Sequence, residues 1–429
     1  MRVLVVGSGG REHALAWKIA QSPLLRELWC APGNPGILRL ARAAPVEPGD
    51  LEGLAGWAAQ SRVDLVVVGP EAPLVLGLAD RCQAAGVPVF GPSAAAAEIE
   101  GSKAFAKDVM RAAGIPTAGY QVFSAVEPAL AFARARAGQV VVKADGLAAG
   151  KGVVVCGAVE EAEAALKSIL VDRVHGAAGA AVVVEERLSG PEASCIAFTD
   201  GERVRLLPSA QDHKRIFDGD RGPNTGGMGA FSPSPSVTPE VERLVEERVL
   251  LPAVREMGRR GRPFRGALYA GLMLTAEGLR VLEFNARLGD PETQPILLKM
   301  QSDILPVLLG AARGNLAGAQ MTFDGRAAVG VVLAAESYPG KPVTGDAIEG
   351  AEGDFPAGVQ VFQAGTARSP DGRLLTAGGR VLTACALGET LEAATELAYQ
   401  AAARIHFRGC QYRTDIGRRG GRGQGKESA

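Results

Sequence analysis

Apolar residues fall mostly in short runs separated by polar, glycine-containing breaks, which predicts buried strands alternating with helices. Residues 2–7 (RVLVVG) predict a buried parallel strand, and Gly9 and Gly10 lead into a helix with Ala14, Leu15 and Ile19 on one face. Strands near 27–31, 64–69 and 87–90, with a helix over 74–85, continue the alternation. Residues 1–101 therefore predict a doubly wound α/β domain, with ligands at the strand carboxyl ends, 7–11 and 69–73.

The rhythm changes after GSKAFAKDVM, where Ser102 can cap a helix carrying Lys103 in its first turn. Residues 117–188 read strand, helix, two strands, helix, strand, and predict a compact α+β module inserted into a larger domain spanning 102–325. Residues 208–230 are polar and glycine-rich with almost no periodicity, which predicts a long functional loop. A helix over 239–259 and strands over 266–274 and 279–289 follow. Residues 326–416 predict a small α+β domain with a helix near 390–405; no convergent acid, base or metal set is visible there, so packing or an interdomain lid is its expected role. Residues 417–429 (GRRGGRGQGKESA) are expected to form a flexible tail.

Composition narrows the function classes. The 429 residues are 47% hydrophobic with a formal net charge of −1, which argues against a general nucleic-acid coat. No run of eighteen apolar residues occurs and the N-terminus lacks a signal-peptide layout, so the cytoplasm is the expected location. Six scattered cysteines without a C-x-x-C pair are expected to be reduced thiols, mostly in the core. Only 10 lysines accompany 36 arginines, so a lysine at a glycine-rich turn carries unusual weight.

Such a turn lies at 141–155, VVKADGLAAGKGVVV. It is one residue short of a Walker loop, and the valines after Lys151 predict a strand where that motif needs a helix. The expected object is a β-hairpin over phosphates, with Lys143 in one arm and Gly146, Gly150, Lys151 and Gly152 at the tip. In VLEFN, alternation places Val281, Glu283 and Asn285 on one face about 7 Å apart along the strand. Two oxygen donors there suit Mg²⁺, and Arg287, continuing that face, could clamp a phosphoryl or carboxylate oxygen. The end of VVVEERL offers backbone groups at Glu185, Glu186 and Leu188 for an adenine edge, and Glu192 could accept ribose hydroxyls. Asp212, in QDHKR, and NTGGMG, with Gly226 and Gly227, predict a site wall. No Ser-His-Asp or Cys-His arrangement is evident, and these parts suit phosphoryl transfer. A dinucleotide turn is opposed by Glu12, which stands where G-x-G-x-x-G needs its third glycine.

The hairpin, the E-E-x-L segment and the E-F-N strand, in this order, resemble the ATP-grasp fold. GSGGREHALAWK, VGPEAPL, GSKAF, QDHKR, GPNTGGMGA, LYAGLM and EFNARLGDPETQP resemble the glycinamide ribonucleotide synthetase family from residue 1 to about 416. That resemblance implies a Rossmann-like N-terminal substrate domain, an ATP-grasp core with a lid at 117–188, and a C-terminal α+β domain. It implies a reaction in which the glycine carboxylate attacks the γ-phosphoryl of ATP, and the amine of 5-phosphoribosylamine then displaces phosphate from glycyl phosphate. Glu283 and Asn285 would hold Mg²⁺ or Mn²⁺, Lys103 and Lys143 would neutralise ATP phosphates, and the hairpin at Lys151 would exclude water. Arg287, Asp212 and the NTGGMG loop would face glycine, while Gly9, Gly10, Arg11 and Glu71 would receive the phosphoribosyl group. Small molecules are the expected partners, without nucleic acid or membrane, for a monomer or weak oligomer. Another ATP-grasp carboxylate-amine ligase, a nicotinamide dehydrogenase and a nucleotide-binding regulator without turnover remain as alternatives.

Overall fold

Five parallel strands begin the chain, in the order Arg42–Ala43, Glu27–Pro32, Arg2–Gly7, Leu65–Val68, Val89–Phe90. This is the doubly wound sheet expected from the short apolar runs, with a two-residue edge strand at 42–43 too short to leave a periodic signal. A computed structural model describes residues 1–47, 49–148 and 152–418.

Residues 120–186 form the inserted α+β module. Its antiparallel sheet runs Tyr120–Phe123, Val182–Glu186, Val140–Ala144, Val153–Val155, and carries helices Val126–Arg134 and Val159–Leu170. The module has an apolar core of its own: Phe123, Leu130, Val140, Val142, Leu166, Ile169 and Val184 pack among themselves. A unit that closes its own core can move as a body, because rotating it exposes little apolar surface.

The body beneath it is a second antiparallel sheet, ordered Val204–Leu206, Glu192–Asp200, Arg265–Thr275, Gly278–Asn285. One face of this sheet shares a core with the N-terminal domain, and that core extends to Phe362 and Cys385 near the C-terminus. Helix Gly10–Ile19 is central to this junction, where His13 and Trp17 meet the Phe362 ring edge-on at 5.6 and 5.7 Å.

The loop expected over 208–230 contains four short strands. Gln211–Asp212 and Gly229–Ser232 pair with each other, and Gly229–Ser232 pairs in turn with Ala327–Ala334, so both belong to the sheet completed by Arg380–Gly388 and Val359–Gln363. Between them, Arg215–Phe217 and Arg221–Asn224 make a small hairpin. These strands are two to four residues long, below the length at which alternation can be read. The region from 326 is therefore joined by backbone hydrogen bonds to the middle of the chain.

The chain end also differs from expectation. Gly417 is buried, and the Arg418 guanidinium lies 5.1 Å from the Tyr399 ring centre, so the ordered chain runs past the expected tail boundary. Residues 419–429 lie outside the described part.

Candidate active site

Ser102 ends one helix and starts the next. Its hydroxyl accepts the amide hydrogen of Phe105 at 3.0 Å, capping helix Lys103–Ala112, and donates to Asp145 Oδ1 at 3.0 Å. Asp145 opens the glycine-rich loop and also accepts from the Ala104 amide at 3.1 Å. Lys103 reaches across to the Gly146 carbonyl at 2.9 Å. Gly146 has a φ of +153°, and a Cβ there would lie 2.5 Å from Ala178, so only glycine fits this turn. Gly152, at the other side of the tip, would crowd Ala148 at 2.7 Å. Gly150 and Lys151 lie outside the described residues.

Lys143 projects from strand Val140–Ala144 to the Leu282 carbonyl at 2.9 Å and lies 2.8 Å from Glu185 Oε1. The other Glu185 oxygen pairs with Lys107 at 3.1 Å, and Lys107 also donates to Thr117 Oγ1 at 2.6 Å. The Glu185 side chain is thus a buried anion between two lysines, while its backbone is committed to strands on both sides. This corrects its expected place at an adenine edge, since a central strand spends its polar backbone on its neighbours. Glu186 also lies within the strand; its amide bonds to the Gly119 carbonyl at 2.8 Å and its side chain is exposed. Leu188, just beyond the strand, is half-buried. Lys107 was missed because a lysine inside a helical run reads as surface. Burial pulls its ammonium down to about 8, against the opposing pull of Glu185.

The E-F-N strand carries a bulge that changes its face. Gly271 pairs with Glu283 but Leu272 pairs with Val281, leaving Leu282 extra. Val281 consequently packs into the same core as Phe284 and Ala286, not beside Glu283 as strict alternation requires. Glu283 and Asn285 face away from that core, and the strand ends at Asn285. Arg287 therefore lies past the strand, where its guanidinium pairs with Glu100 at 2.9 Å and Glu71 at 3.3 Å. Glu100 also accepts the Ala286 amide hydrogen at 2.7 Å. Sequence reasoning missed Glu100, which sits in an alanine-rich helix without a motif.

Burial disfavours the Glu283 carboxylate, but Lys214, Lys143, Lys103 and Arg287 together hold it below its ordinary range. Lys214 pairs with Glu192 at 2.8 Å, and Glu192, Asp212 and Glu283 hold its ammonium well above the usual lysine value despite burial. Asp212 is the reverse case: burial, reinforced by Glu292, Glu192 and Glu283, pushes its carboxyl up to about 7. Among the described residues, the Glu283 and Asn285 side chains have no hydrogen-bonded or ion-paired partner, and no cluster of three His, Cys, Asp or Glu side chains exists to cage a metal. One carboxylate and one amide fit a hard divalent cation that completes its shell with water and phosphate. With three lysines around them, they fit a cation that arrives with an anionic ligand.

At the N-terminal sheet, the residue that spoils the dinucleotide pattern has a structural task. Glu12 Oε2 accepts the Gly9 amide hydrogen at 2.6 Å, and Glu12 Oε1 accepts from Arg11 Nε at 2.5 Å. A Cβ on Gly69 would lie 2.0 Å from Glu12, so the carboxylate fills the turn between the two strand ends. Arg11 also donates to the Leu288 carbonyl at 3.0 Å, which brings Gly9, Gly10 and Arg11 against the segment after the E-F-N strand. Gly10 packs on Gln294, whose amide donates to Asp290 at 2.8 Å.

The NTGG wall closes the remaining side. Thr225 bonds to the Lys214 carbonyl through its amide at 2.7 Å and its hydroxyl at 2.8 Å. Gly226 donates to Tyr338 Oη at 2.8 Å, and its carbonyl accepts from Arg380 at 2.5 Å. Gly227, at φ +110°, is pressed against Pro291. The C-terminal region, for which packing or an interdomain lid was expected, thus adds two polar side chains to the site wall. Beside this wall opens a cleft of about 600 Å³ lined by Val153–Val155, Phe217, Asn224 and Tyr338, but not by Glu283 or Asn285.

Comparison with known proteins agrees with this arrangement. Three family models match in order along the chain: phosphoribosylglycinamide synthetase N domain over 1–100, ATP-grasp (A) domain over 101–293 and C domain over 328–419. Phosphoribosylamine–glycine ligase of Xanthomonas axonopodis pv. citri is 52% identical over 97% of each chain, and that of Escherichia coli K12 is 50% identical over 97% of this chain and 98% of its own. The crystal structure of phosphoribosylamine–glycine ligase from Thermotoga maritima superposes with a TM-score of 0.83 at 35% identity, covering 97% of this chain and all of that one. A biotin carboxylase domain from Hydrogenobacter thermophilus, solved with MgADP and bicarbonate, shares the fold at 20% identity, with a TM-score of 0.75 over 96% of this chain and 91% of its own. The chain belongs to the phosphoribosylglycinamide synthetase family, with an ATP-grasp core between its N and C domains.

Proposed function

We infer that this enzyme joins glycine to 5-phosphoribosylamine at the expense of ATP, giving glycinamide ribonucleotide, ADP and phosphate in purine biosynthesis. The observation that carries the reading is the convergence of Lys103, Lys143 and Lys214 on Glu283, which makes a cation-rich pocket under a glycine-rich hairpin. Full-length likeness to phosphoribosylamine–glycine ligases supplies the substrates.

In this reading Lys103 and Lys143 exchange their carbonyl partners for phosphate oxygens. A carbonyl carries only a partial charge, so the exchange strengthens both contacts. Glu283 and Asn285 hold the divalent cation, here proposed as Mg²⁺ or Mn²⁺, which supplies charge neutralisation on the phosphoryl oxygens. The glycine carboxylate attacks the γ-phosphorus, the bond to the bridging oxygen breaks, and ADP departs with that electron pair. The amine nitrogen then attacks the acyl carbon of glycyl phosphate, phosphate leaves, and the nitrogen loses a proton. We assign to Asp212, whose carboxyl burial pushes up to about 7, the role of taking that proton or orienting the glycine ammonium. Arg287 screens the carboxylates around it, the NTGG wall borders glycine, and the turn at Gly9–Arg11 with Glu71 receives the phosphoribosyl end. Gly146 and Gly152 border the cover that keeps water from the acyl phosphate, a role also proposed for Gly150 and Lys151 on the sequence alone. Glu186 and Leu188 border the adenine, and Glu192 contacts the ribose after releasing Lys214.

We place the enzyme in the cytoplasm on its six unpaired cysteines, which suit a reducing compartment. No described helix is long and apolar enough to cross a membrane. One chain supplies every group named above, so a monomer or weak oligomer suffices. Measurement of ADP release tests the substrates: release should require glycine and 5-phosphoribosylamine together. Release with a different amino acid instead of glycine would overturn the assignment while leaving the family intact.

A further inference from the structure

Two side chains of the C-terminal sheet region take both backbone polar groups of one residue in the site wall. Tyr338 Oη accepts the Gly226 amide hydrogen at 2.8 Å, and Arg380 Nη1 donates to the Gly226 carbonyl at 2.5 Å. Arg380 does not stop there: Nη1 also donates to the Asp290 carbonyl at 2.7 Å, and Nη2 lies 3.1 Å from Asp290 Oδ2. Asp290 holds Gln294 at 2.8 Å, and Gln294 underlies Gly10. One guanidinium thus links the NTGG wall to the turn at the start of helix Gly10–Ile19.

Gly226 cannot hold itself. It has no Cβ, and its neighbour Gly227 sits at φ +110°, so this stretch has wide conformational freedom unless its polar groups are pinned. Thr225 is pinned to Lys214 from the body of the site, and Gly227 donates to Thr225 Oγ1 at 2.9 Å. Gly226, by contrast, bonds to Tyr338 and Arg380 of the C-terminal region, and Tyr338 also lines the 600 Å³ cleft beside it. Gly226 is itself exposed, so the hydrogen bonds to Tyr338 and Arg380 supply its orientation.

We propose that Tyr338 and Arg380 are positioning residues for the glycine side of the reaction, fixing the Gly226 peptide against which the amino acid is seated. The inference rests on the reading that the NTGG wall borders glycine. Neither side chain needs to touch substrate; each acts through the peptide it holds. Lysine could keep the charge of Arg380 but cannot serve two carbonyls and a carboxylate from one planar fork.

The test uses the full chain with Tyr338→Phe and Arg380→Lys, assayed for ADP release. Tyr338→Phe removes a single acceptor oxygen and carries the test alone if Arg380→Lys does not fold. The expected result is a KM for glycine raised about tenfold in each variant, with kcat within about threefold. KM for ATP and the unfolding midpoint stay near those of the unaltered chain. An unchanged glycine KM overturns the proposal, and so does a joint rise of the KM values for glycine, ATP and amine, which would report general loosening. The unaltered chain is measured first. Absence of turnover with glycine and 5-phosphoribosylamine removes the substrate reading and this inference with it, whereas normal turnover with unmoved variant KM values removes the inference alone.

Discussion

Lys143 and Glu185 pair at 2.8 Å with both side chains almost wholly buried, and Lys107 approaches the same carboxylate from the other side at 3.1 Å. Two lysines thus share the Glu185 carboxylate. Glu185→Gln should therefore destabilise the ligand-free chain by about 3 kcal/mol, the usual consequence of breaking a buried pair. ATP should restore part of that loss by supplying the missing anion, giving a larger ATP-induced rise in Tm than in the unaltered chain. An equal or smaller rise would mean that the two lysines do not face the triphosphate.

Ser102 caps a helix and moors the base of the phosphate hairpin through Asp145. Ser102→Ala should lower stability by about 1 kcal/mol, as loss of a cap does, and raise KM for ATP several-fold. Ser102→Thr, which retains both bonds, should restore most of each. Denaturant unfolding and steady-state kinetics on the two variants separate the effects; a stability loss without any change in ATP affinity would detach the mooring from nucleotide binding.

Glu283→Gln keeps the shape of the side chain but removes the charge assigned to the cation. Turnover should fall about 10²-fold or more, and half-maximal activity should need more Mg²⁺. Unchanged Mg²⁺ dependence would take Glu283 out of the metal site.

Two histidines predict the pH response of folding. Burial lowers His13 and His213 from 6.5 to about 4, and His13 Nδ1 accepts the Gln363 amide hydrogen at 2.7 Å, a bond the imidazolium cannot accept. Between pH 4 and 6.5 the unfolded chain binds protons there that the native chain refuses. Each group thus contributes stability that is complete above about pH 6.5 and is lost as pH falls toward 4. Replacing His13 by Asn should reduce the dependence of unfolding free energy on pH in this window by about one proton, with His213 retaining its own share. Denaturant titrations at several pH values measure that slope directly, and an unaltered slope would mean His13 is protonated in the native chain.

The architecture was legible wherever apolar runs were long enough to show a period. Strand Arg2–Gly7, the hairpin arms around Lys143 and helix Leu391–Ala402 all follow from such runs. Short strands were not legible: Gln211–Asp212 and Gly229–Ser232 hold too few side chains to alternate, and their pairing partner lies far along the chain. Nor could the bulge at Leu282 be read, because an extra residue in one strand is defined by its neighbour. Lys103, Lys143 and Glu283, which the structure brings close together, were singled out from a helix start, a glycine turn and the E-x-N spacing. Lys107, Glu100, Tyr338 and Arg380 did not, since each gains its role from a partner distant in sequence.

Pairing of Gly229–Ser232 with Ala327–Ala334 also sets an order of assembly. During synthesis the strand at 229–232 emerges early and must wait, with that edge open, until residues 327–334 have left the ribosome. The core shared by the N-terminal domain and the central sheet includes Phe362 and Cys385, so it closes only once they have emerged, and the wall at Gly226 waits likewise for Tyr338 and Arg380. Non-local pairing of this kind slows folding and exposes an edge meanwhile. A nascent chain arrested before residue 327 would therefore lack both side chains that hold Gly226.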